Sequence, residues 1–129
     1  MFADLGIFKM SSMMASHAGR RQALAAQNMA NVDTPGYRGK RLSAFSDVTK
    51  SLEYSRPLKA TREGHLHGLS DGVPMAQIIE MKDNPAPDGN TVSAETELLE
   101  SINAEREHTR ALAVYKSALN ILHKTISGR

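Results

Sequence analysis

Length, composition and charge restrict the kind of protein this chain can be. With 129 residues, of which only 5% are aromatic and none is Trp, it can form one domain but not a large self-sufficient core. Its apolar residues are mostly Ala, Leu and Met, a mixture that favours helix-on-helix packing over a β-sandwich or an α/β sheet. Sixteen basic and fourteen acidic residues do not by themselves call for nucleic acid, and the absence of Cys excludes disulfides and thiolate metal sites.

An amphipathic helix is predicted from about Leu5 to Val32. One side of its helical wheel carries an apolar stripe, formed by Ile7, Met10, Met14, Ala18, Ala25, Met29 and Val32. Such a stripe packs against another helix. The pattern alone fits a core helix of a small domain and an assembly helix equally well. Asp4 and Lys9 interrupt the most apolar part of the N-terminus, so a cleavable secretory signal is not expected.

The segment Ala30–Tyr37 predicts a sharp end to this helix. Pro35 disfavours helical backbone angles at Thr34. A Pro-Gly pair also suits the middle of a type II turn, in which Gly36 takes a positive φ. The backbone is therefore expected to leave the helix abruptly at a defined place.

The middle of the chain, residues 36–90, is interrupted by Gly and Pro, and regular helix is not expected there. Short extended pieces are predicted at Leu42–Val48 and Val73–Met81, which can pair as a small hairpin or stay irregular. The run Asn84–Asn90 contains two Pro, one Gly and an Asp, and it predicts a loop.

A second and longer helix is predicted from about Ser93 to Ile126. Ser93 is the expected N-cap, acidic residues fill the early turns, and His123 and Lys124 lie where the helix dipole favours cations. Its apolar stripe consists of Leu98, Ile102, Leu112, Tyr115, Leu119, Leu122 and Ile126. At about 1.5 Å per residue the helix extends roughly 50 Å, so much of this stripe must meet something outside a compact domain.

These elements predict a mainly α fold. Two long terminal helices pack as a coiled-coil-like pair, and the middle segment is irregular or contains a little β-structure. The expected organisation is one structural unit with three parts, namely an N-terminal axial helix and turn at 1–35, a middle segment at 36–90 and a C-terminal axial helix at 91–129.

No enzymatic or metal site is expected from the residue pattern. His65 and His67 would face the same way on a strand, but spacing places no third ligand beside them. The phosphate-loop, dinucleotide and nucleophile-elbow motifs are missing. Glu100, Glu105 and Glu107 are interpreted as solvated charges of a helix rather than as a catalytic pair.

Basic residues cluster after the predicted turn, but no aromatic series accompanies them. Arg38, Lys40 and Arg41 come first, and Arg56, Lys59 and Arg62 follow. A surface that binds single-stranded nucleic acid combines positive charge with stacking rings. The pattern therefore favours a solvated or inter-subunit face.

The predicted turn also carries a family resemblance. The segment Leu24–Arg38 resembles the N-terminal signature of bacterial flagellar axial proteins, and the chain is closest to the basal-body rod proteins. The matching motif positions are Asn28, Ala30, Asn31, Thr34, Pro35, Gly36 and Tyr37. Thr61 followed by His65-Leu66 is similar to a shorter central pattern, and Asp88–Val92 resembles the start of the family's C-terminal segment. The resemblance covers nearly the whole chain.

The resemblance implies a structural subunit of the proximal rod, without enzymatic activity, cofactor, small-molecule substrate or nucleic acid. Such a subunit is exported unfolded through the flagellar type III apparatus and polymerises helically in the periplasm. Its implied partners are copies of itself, other rod subunits, the small adaptor at the rod base and the membrane ring. Alternatives are another axial subunit or, more distantly, a helical adaptor or a nucleic-acid-binding module. The expected assembly interface comprises Met10, Met14, Ala18, Ala25, Met29, Val32, Leu98, Ile102, Leu112, Tyr115, Leu119, Leu122 and Ile126.

Overall fold

The structure, a computed structural model, describes residues 6–54, 76–82 and 85–128. Within these ranges, helix α1 (Gly6–Ala30) is followed by strand β1 (Lys40–Leu42), helix α2 (Phe45–Tyr54), strand β2 (Ile78–Glu80) and helix α3 (Ala94–Ser127). The two long helices lie at the ends of the chain and pack together, with a small sheet between them in sequence. The predicted fold class is confirmed.

Helices α1 and α3 form an antiparallel pair. Near the end of α1, Asn28 bonds to Glu97 at the start of α3, and in the middle of α1, Arg21 pairs with Glu100. Near the start of α1, the Phe8 ring packs edge-on against Tyr115 at a centroid distance of 5.1 Å. Residue numbers therefore fall along one helix as they rise along the other.

Buried residues at seven-residue intervals, all of them small except Glu97, form the contact between these helices. The buried positions at this spacing are Ser11, Ala18 and Ala25 on α1, and Glu97, Ala104, Ala111 and Ala118 on α3. A seven-residue repeat is the period of coiled coils. Because Ala and Ser side chains are short, this seam brings the two helix backbones close together, whereas Leu and Ile would hold them further apart.

The seam only partly coincides with the predicted apolar stripes. On α1, Ala18 and Ala25 are buried in it, whereas Met10 is exposed. On α3 the predicted stripe lies beside the seam, and its large side chains are substantially exposed, with 55% for Leu98, 49% for Leu112 and 68% for Ile126. A second line of residues at seven-residue spacing lies one position further along α3 than the line that begins at Glu97. Four of its members are large and apolar, and we call these four the outer line: Leu98, Leu112, Leu119 and Ile126. Helix α3 thus has a small-residue face against α1 and a large-residue face directed elsewhere.

The middle segment contains the expected β-pair and one element that was not expected. β1 and β2 are antiparallel, with Arg41 opposite Ile79. The residues after β1 form helix α2, so the prediction of extended structure at Leu42–Val48 was wrong beyond Leu42. Gly and Pro are absent from Phe45–Tyr54, Asp47 lies in its first turn, and Val48 is buried on one face. These features favour a helix. The prediction overlooked them because it was based on the Gly and Pro residues elsewhere in the middle segment.

The helix ends agree with the predictions to within two residues. Ser93 occupies the N-cap position of α3, but its side chain makes no capping bond, and its carbonyl accepts from the Glu97 N–H. Two sequence patterns, Thr61 with His65-Leu66 and the pair His65 and His67, lie outside the described residues. Among the helices that the structure describes, none is long and apolar enough to cross a membrane.

Candidate functional site

A type II turn, formed by Thr34, Pro35, Gly36 and Tyr37, follows the end of α1. The Tyr37 N–H donates to the Thr34 carbonyl at 3.2 Å, and Gly36, the third residue of the turn, has a φ of 69°. Before the turn, the Asn31 and Val32 N–H groups bond to carbonyls three residues earlier, which tightens the last helical turn. The turn predicted from Pro35 and Gly36 is confirmed.

Asn90, distant in sequence, closes the open end of this helix. Its side-chain amide nitrogen lies 3.0, 2.7 and 3.0 Å from the carbonyl oxygens of Asn31, Val32 and Thr34. Its side-chain oxygen accepts from the Val92 N–H at 2.8 Å. Carbonyls at a helix C-terminus have no partner inside the helix. Asn90, which is 3% exposed, supplies a partner for the Val32 carbonyl from the segment that leads into α3. It also adds a second bond to the carbonyls of Asn31 and Thr34, which accept from the N–H groups of Thr34 and Tyr37.

Backbone bonds join the same two segments. The Gly36 N–H donates to the Asp88 carbonyl at 3.0 Å, and the Thr91 N–H donates to the Tyr37 carbonyl at 3.1 Å. Gly89 also has a positive φ, 83°, and a Cβ there would lie 3.5 Å from the Gly36 Cα. The two segments that carried the family resemblance, the turn and Asp88–Val92, therefore lie against each other.

A buried polar group lies directly beneath this junction. Asn28 is 0% exposed, and its amide nitrogen donates to the Lys40 carbonyl at 2.9 Å and to Glu97 Oε2 at 3.0 Å. Asn28 Oδ1 accepts from the Lys40 N–H at 3.0 Å and from the Tyr37 hydroxyl at 3.4 Å. This side chain thus connects α1, β1, the turn and α3. We call the set Asn28, Tyr37, Asn90 and Glu97 the polar clasp.

Glu97 is the charged member of the clasp. It is 1% exposed, and Arg41 Nη2 approaches its Oε1 to 3.9 Å, while Asn28 donates to its Oε2. A buried carboxylate is costly unless donors and a cation compensate for lost water. Because Asn28 and Arg41 come from α1 and β1, this compensation exists only when the three elements are correctly docked.

A second ionic group lies further along the helix pair. Arg21 donates from Nε to Glu100 at 2.9 Å and from Nη1 to Glu107 at 2.6 Å. Burial alone would lower the pKa of the Arg21 guanidinium, but the bonds and charges of Glu100 and Glu107 outweigh it and raise that pKa above its ordinary value. Arg21 therefore remains charged and holds α1 to α3.

The structure brings most of the motif residues together. Asn28 is buried in the clasp, Asn31 and Tyr37 are half-buried, and Thr34, Pro35 and Gly36 form the exposed turn, beside the exposed Ala30. Of the proposed interface residues, Ala18 and Ala25 face α3 within the same chain. Exposed and half-buried positions make up the remainder: Met10, Met14, Met29, Val32, Leu98, Ile102, Leu112, Tyr115, Leu119, Leu122 and Ile126.

Sequence reasoning missed several of the residues that hold the site together. Glu97 was interpreted as one of several acids near a helix start, and Glu100 and Glu107 as solvated charges. The seven-residue spacing from Glu97 to Ala104, Ala111 and Ala118 is the signal that could have identified Glu97 as buried. No local signal identifies Asn90 as a partner of the turn, because the carbonyls to which its amide donates lie more than fifty positions away.

Within the clasp, Asn28 bonds to Tyr37 and Glu97, and Asn90 bonds to backbone groups of the turn and of the segment before α3, which suits a structural role. Across 6–54, 76–82 and 85–128, no three His, Asp or Glu side chains converge to hold a metal ion. These bonds of the clasp fix the path of the chain where it leaves α1 and where it enters α3.

The turn can be tested with one substitution and a matched control. Gly36→Ala is expected to lower the free energy of unfolding by about 1 kcal/mol, because Ala is strained at positive φ. Gly19→Ala is expected to raise it by about 0.5–1 kcal/mol, because Gly19 lies within α1 with open space around it. Urea unfolding measures both, and equal effects of the same sign would contradict this account of the turn.

Comparison with known proteins gives one consistent result. The chain is 25% identical over 126 residues to the flagellar basal body rod protein FlgB of Buchnera aphidicola, covering 95% of each chain. It is 27% identical over 116 residues to FlgB of Salmonella typhimurium, covering 84% of each. It is 25% identical over 127 residues to FlgB of Agrobacterium fabrum, covering 93% of this chain and 92% of that protein. No family model matches the chain. Eight relatives carry the same name, and together they support a FlgB-like rod protein, as the motif residues predicted.

Proposed function

We propose that this FlgB-like chain is a structural subunit of the bacterial flagellar basal-body rod, in its proximal part. The observation that carries the proposal is similarity to FlgB proteins along nearly the whole length of both chains. The motif positions that matched the rod signature include the turn residues Thr34, Pro35, Gly36 and Tyr37, and two members of the clasp, Asn28 and Tyr37. In this proposal the chain has a structural role, and the two terminal helices α1 and α3 make the contacts between subunits.

We further propose that subunits polymerise helically through these helices. The outer line of α3 supports this, because it places the exposed Leu98, Leu112 and Ile126 and the half-buried Leu119 beside a seam already filled by α1. Large exposed apolar side chains aligned along one helix mark a protein interaction surface. Burying them against neighbouring copies removes apolar area from water, at about 25 cal/mol per Å². Met10, exposed near the start of α1, adds to this surface.

The clasp gives such a subunit a defined shape. Asn90 and the Gly36–Asp88 bond hold the middle segment at one end of the helix pair. A repeating contact between identical subunits produces a regular assembly only if every subunit presents its surfaces at the same angle. The proposed role of the motif is therefore to set subunit geometry.

The remaining parts of the proposal concern location and partners. The subunit lies in the periplasmic rod, reaches it through the flagellar type III apparatus without a cleavable signal, and contacts other rod subunits, the rod-base adaptor and the membrane ring. These assignments rest on the resemblance to rod proteins.

Leu112→Asp tests the proposed interface. Leu112 is half-exposed in the subunit, so the variant is expected to keep its helical content, but a carboxylate without a partner would have to be desolvated on assembly. Cells that carry only this variant are expected to lose swimming, and purified basal bodies are expected to lack rods beyond the base.

Gln22→Asp is the matched control, since it adds the same charge at an exposed helical position without removing an apolar side chain. It is expected to leave swimming intact. If the Leu112→Asp variant enters basal bodies as well as the wild-type chain does, the outer line is not part of the interface between subunits. Absence of the wild-type chain from purified basal bodies would overturn the proposed function itself.

A further inference from the structure

A cleft of about 400 Å³ lies beside the Arg21 ion pairs, between α1, α3 and the connection from β1 to α2. Its walls carry His17 and Arg21 from α1, Glu100 and Glu107 from α3, and the segment 42–46. Neither the clasp nor the outer line of α3 includes these cleft residues.

Among the residues that line the cleft, acidic side chains outnumber those of Lys and Arg. Two carboxylates, Glu100 and Glu107, share the single guanidinium of Arg21. Arg21 uses one oxygen of each, Oε1 of Glu100 and Oε2 of Glu107. The residues 42–46 on the facing wall are Leu, Ser, Ala, Phe and Ser, which add no charge. The side chains of Glu100 and Glu107 remain 26% and 33% exposed, so a ligand can reach them.

His17 and Phe45 belong to the same wall. His17 is 6% exposed, and its Nε2 donates to the Ser43 carbonyl oxygen at 2.9 Å. The Phe45 ring packs at 5.4 Å from the imidazole. Net negative charge and an aromatic ring are features that receive a Lys or Arg side chain.

The chain itself carries a matching group on the face of α3 that points away from α1. Arg106 and Arg110 are exposed one turn apart, and within the described residues neither forms an ion pair. Like charges four positions apart on a helix repel each other. Both arginines lie within about one turn of Glu107 along α3. If a second copy lies beside the first with its α3 parallel to that of the first and at the same height, its arginines are level with the cleft of the first.

We propose that this cleft receives Arg106 and Arg110 of a second copy of the chain. The contact joins two different faces, so it is heterologous and repeats from subunit to subunit into an open assembly. It deepens the proposed function by naming one lateral contact of the rod, and it rests on that function.

Cysteine cross-linking in assembled basal bodies tests the contact, because the natural chain contains no Cys. Two differently tagged variants are expressed together, one with Ser46→Cys at the cleft and the other with Thr109→Cys, an exposed position between the two arginines that leaves both in place. Oxidation is expected to give a dimer that carries both tags. Arg38→Cys, which also replaces an exposed residue, is the control partner and is expected to give no such dimer with Ser46→Cys.

Charge neutralisation gives an independent measurement. The double change Arg106→Gln and Arg110→Gln is expected to lower the cross-link between Ser46→Cys and Thr109→Cys about tenfold, and Glu107→Gln is expected to do the same. Lys116→Gln, an exposed cation elsewhere on α3, is expected to leave it unchanged.

If rods contain both tagged variants but the Ser46–Thr109 dimer is absent, or if Arg38→Cys forms a dimer with Ser46→Cys instead, the inference is overturned while the proposed function stands. If the chain is missing from basal bodies altogether, the proposed function fails, and the inference fails with it.

Discussion

Replacing Asn28 by aspartate is expected to lower the free energy of unfolding by about 3–5 kcal/mol. The two side chains have the same shape, so the effect comes from charge and donors alone. The new carboxylate would take the position of an amide that lies 3.0 Å from Glu97 Oε2 and 2.9 Å from the Lys40 carbonyl oxygen. One carboxylate oxygen, which can only accept, would then face the two buried acceptors that the Asn28 amide nitrogen now satisfies. Since small domains have only about 5–15 kcal/mol of stability, this loss is a large share of the total.

Urea unfolding followed by circular dichroism measures this change. Gln27→Glu is the matched control, because it makes the same amide-to-acid replacement on the exposed side of α1, one position away. It is expected to alter the free energy of unfolding by less than about 0.5 kcal/mol. Equal effects of the two changes would mean that the buried bonds of Asn28 do not hold α1, β1 and α3 together.

Replacing Asn90 by leucine is expected to cost about 3 kcal/mol and to loosen the junction between the turn and α3. The change removes the amide that lies within 3.0 Å of three carbonyl oxygens, those of Asn31, Val32 and Thr34. It also removes the acceptor of the Val92 N–H. Leucine fills a similar volume, so the loss reflects two backbone groups left without partners, the Val32 carbonyl and the Val92 N–H, each costing about 1–3 kcal/mol before relaxation and entry of water.

Amide hydrogen exchange locates the effect. Faster exchange is expected at Val92, where the N–H loses its acceptor, and at the neighbouring Thr91, which bonds to the turn at Tyr37. Exchange in the middle of α3 is expected to change only through the global loss of stability. Asn120→Leu, an exposed position on α3, serves as the control and is expected to leave the Val92 N–H protected. Unchanged protection at Val92 in the Asn90 variant would show that the Asn90 side chain does not hold the junction between the turn and α3.

The sequence by itself determined the features that depend on neighbours along the chain. Apolar spacing and the absence of Pro located both long helices to within two residues, because helix formation is decided over a few turns. Pro35 and Gly36 specified the turn, because proline restricts the residue before it and glycine accepts positive φ. The same residues carried the resemblance to rod proteins, which the comparison with FlgB proteins confirmed.

Only the tertiary structure decided which face of each helix meets the other. Periodicity shows that α3 is apolar on one side, but it does not show that its alanines pack against α1 while Leu98, Leu112 and Ile126 remain exposed. The burial of Glu97 and the closure of α1 by Asn90 depend on partners that lie 69 and more than fifty positions away in the chain. No local pattern records such partners, because the desolvation that makes these side chains important occurs only when α1, β1 and α3 dock together.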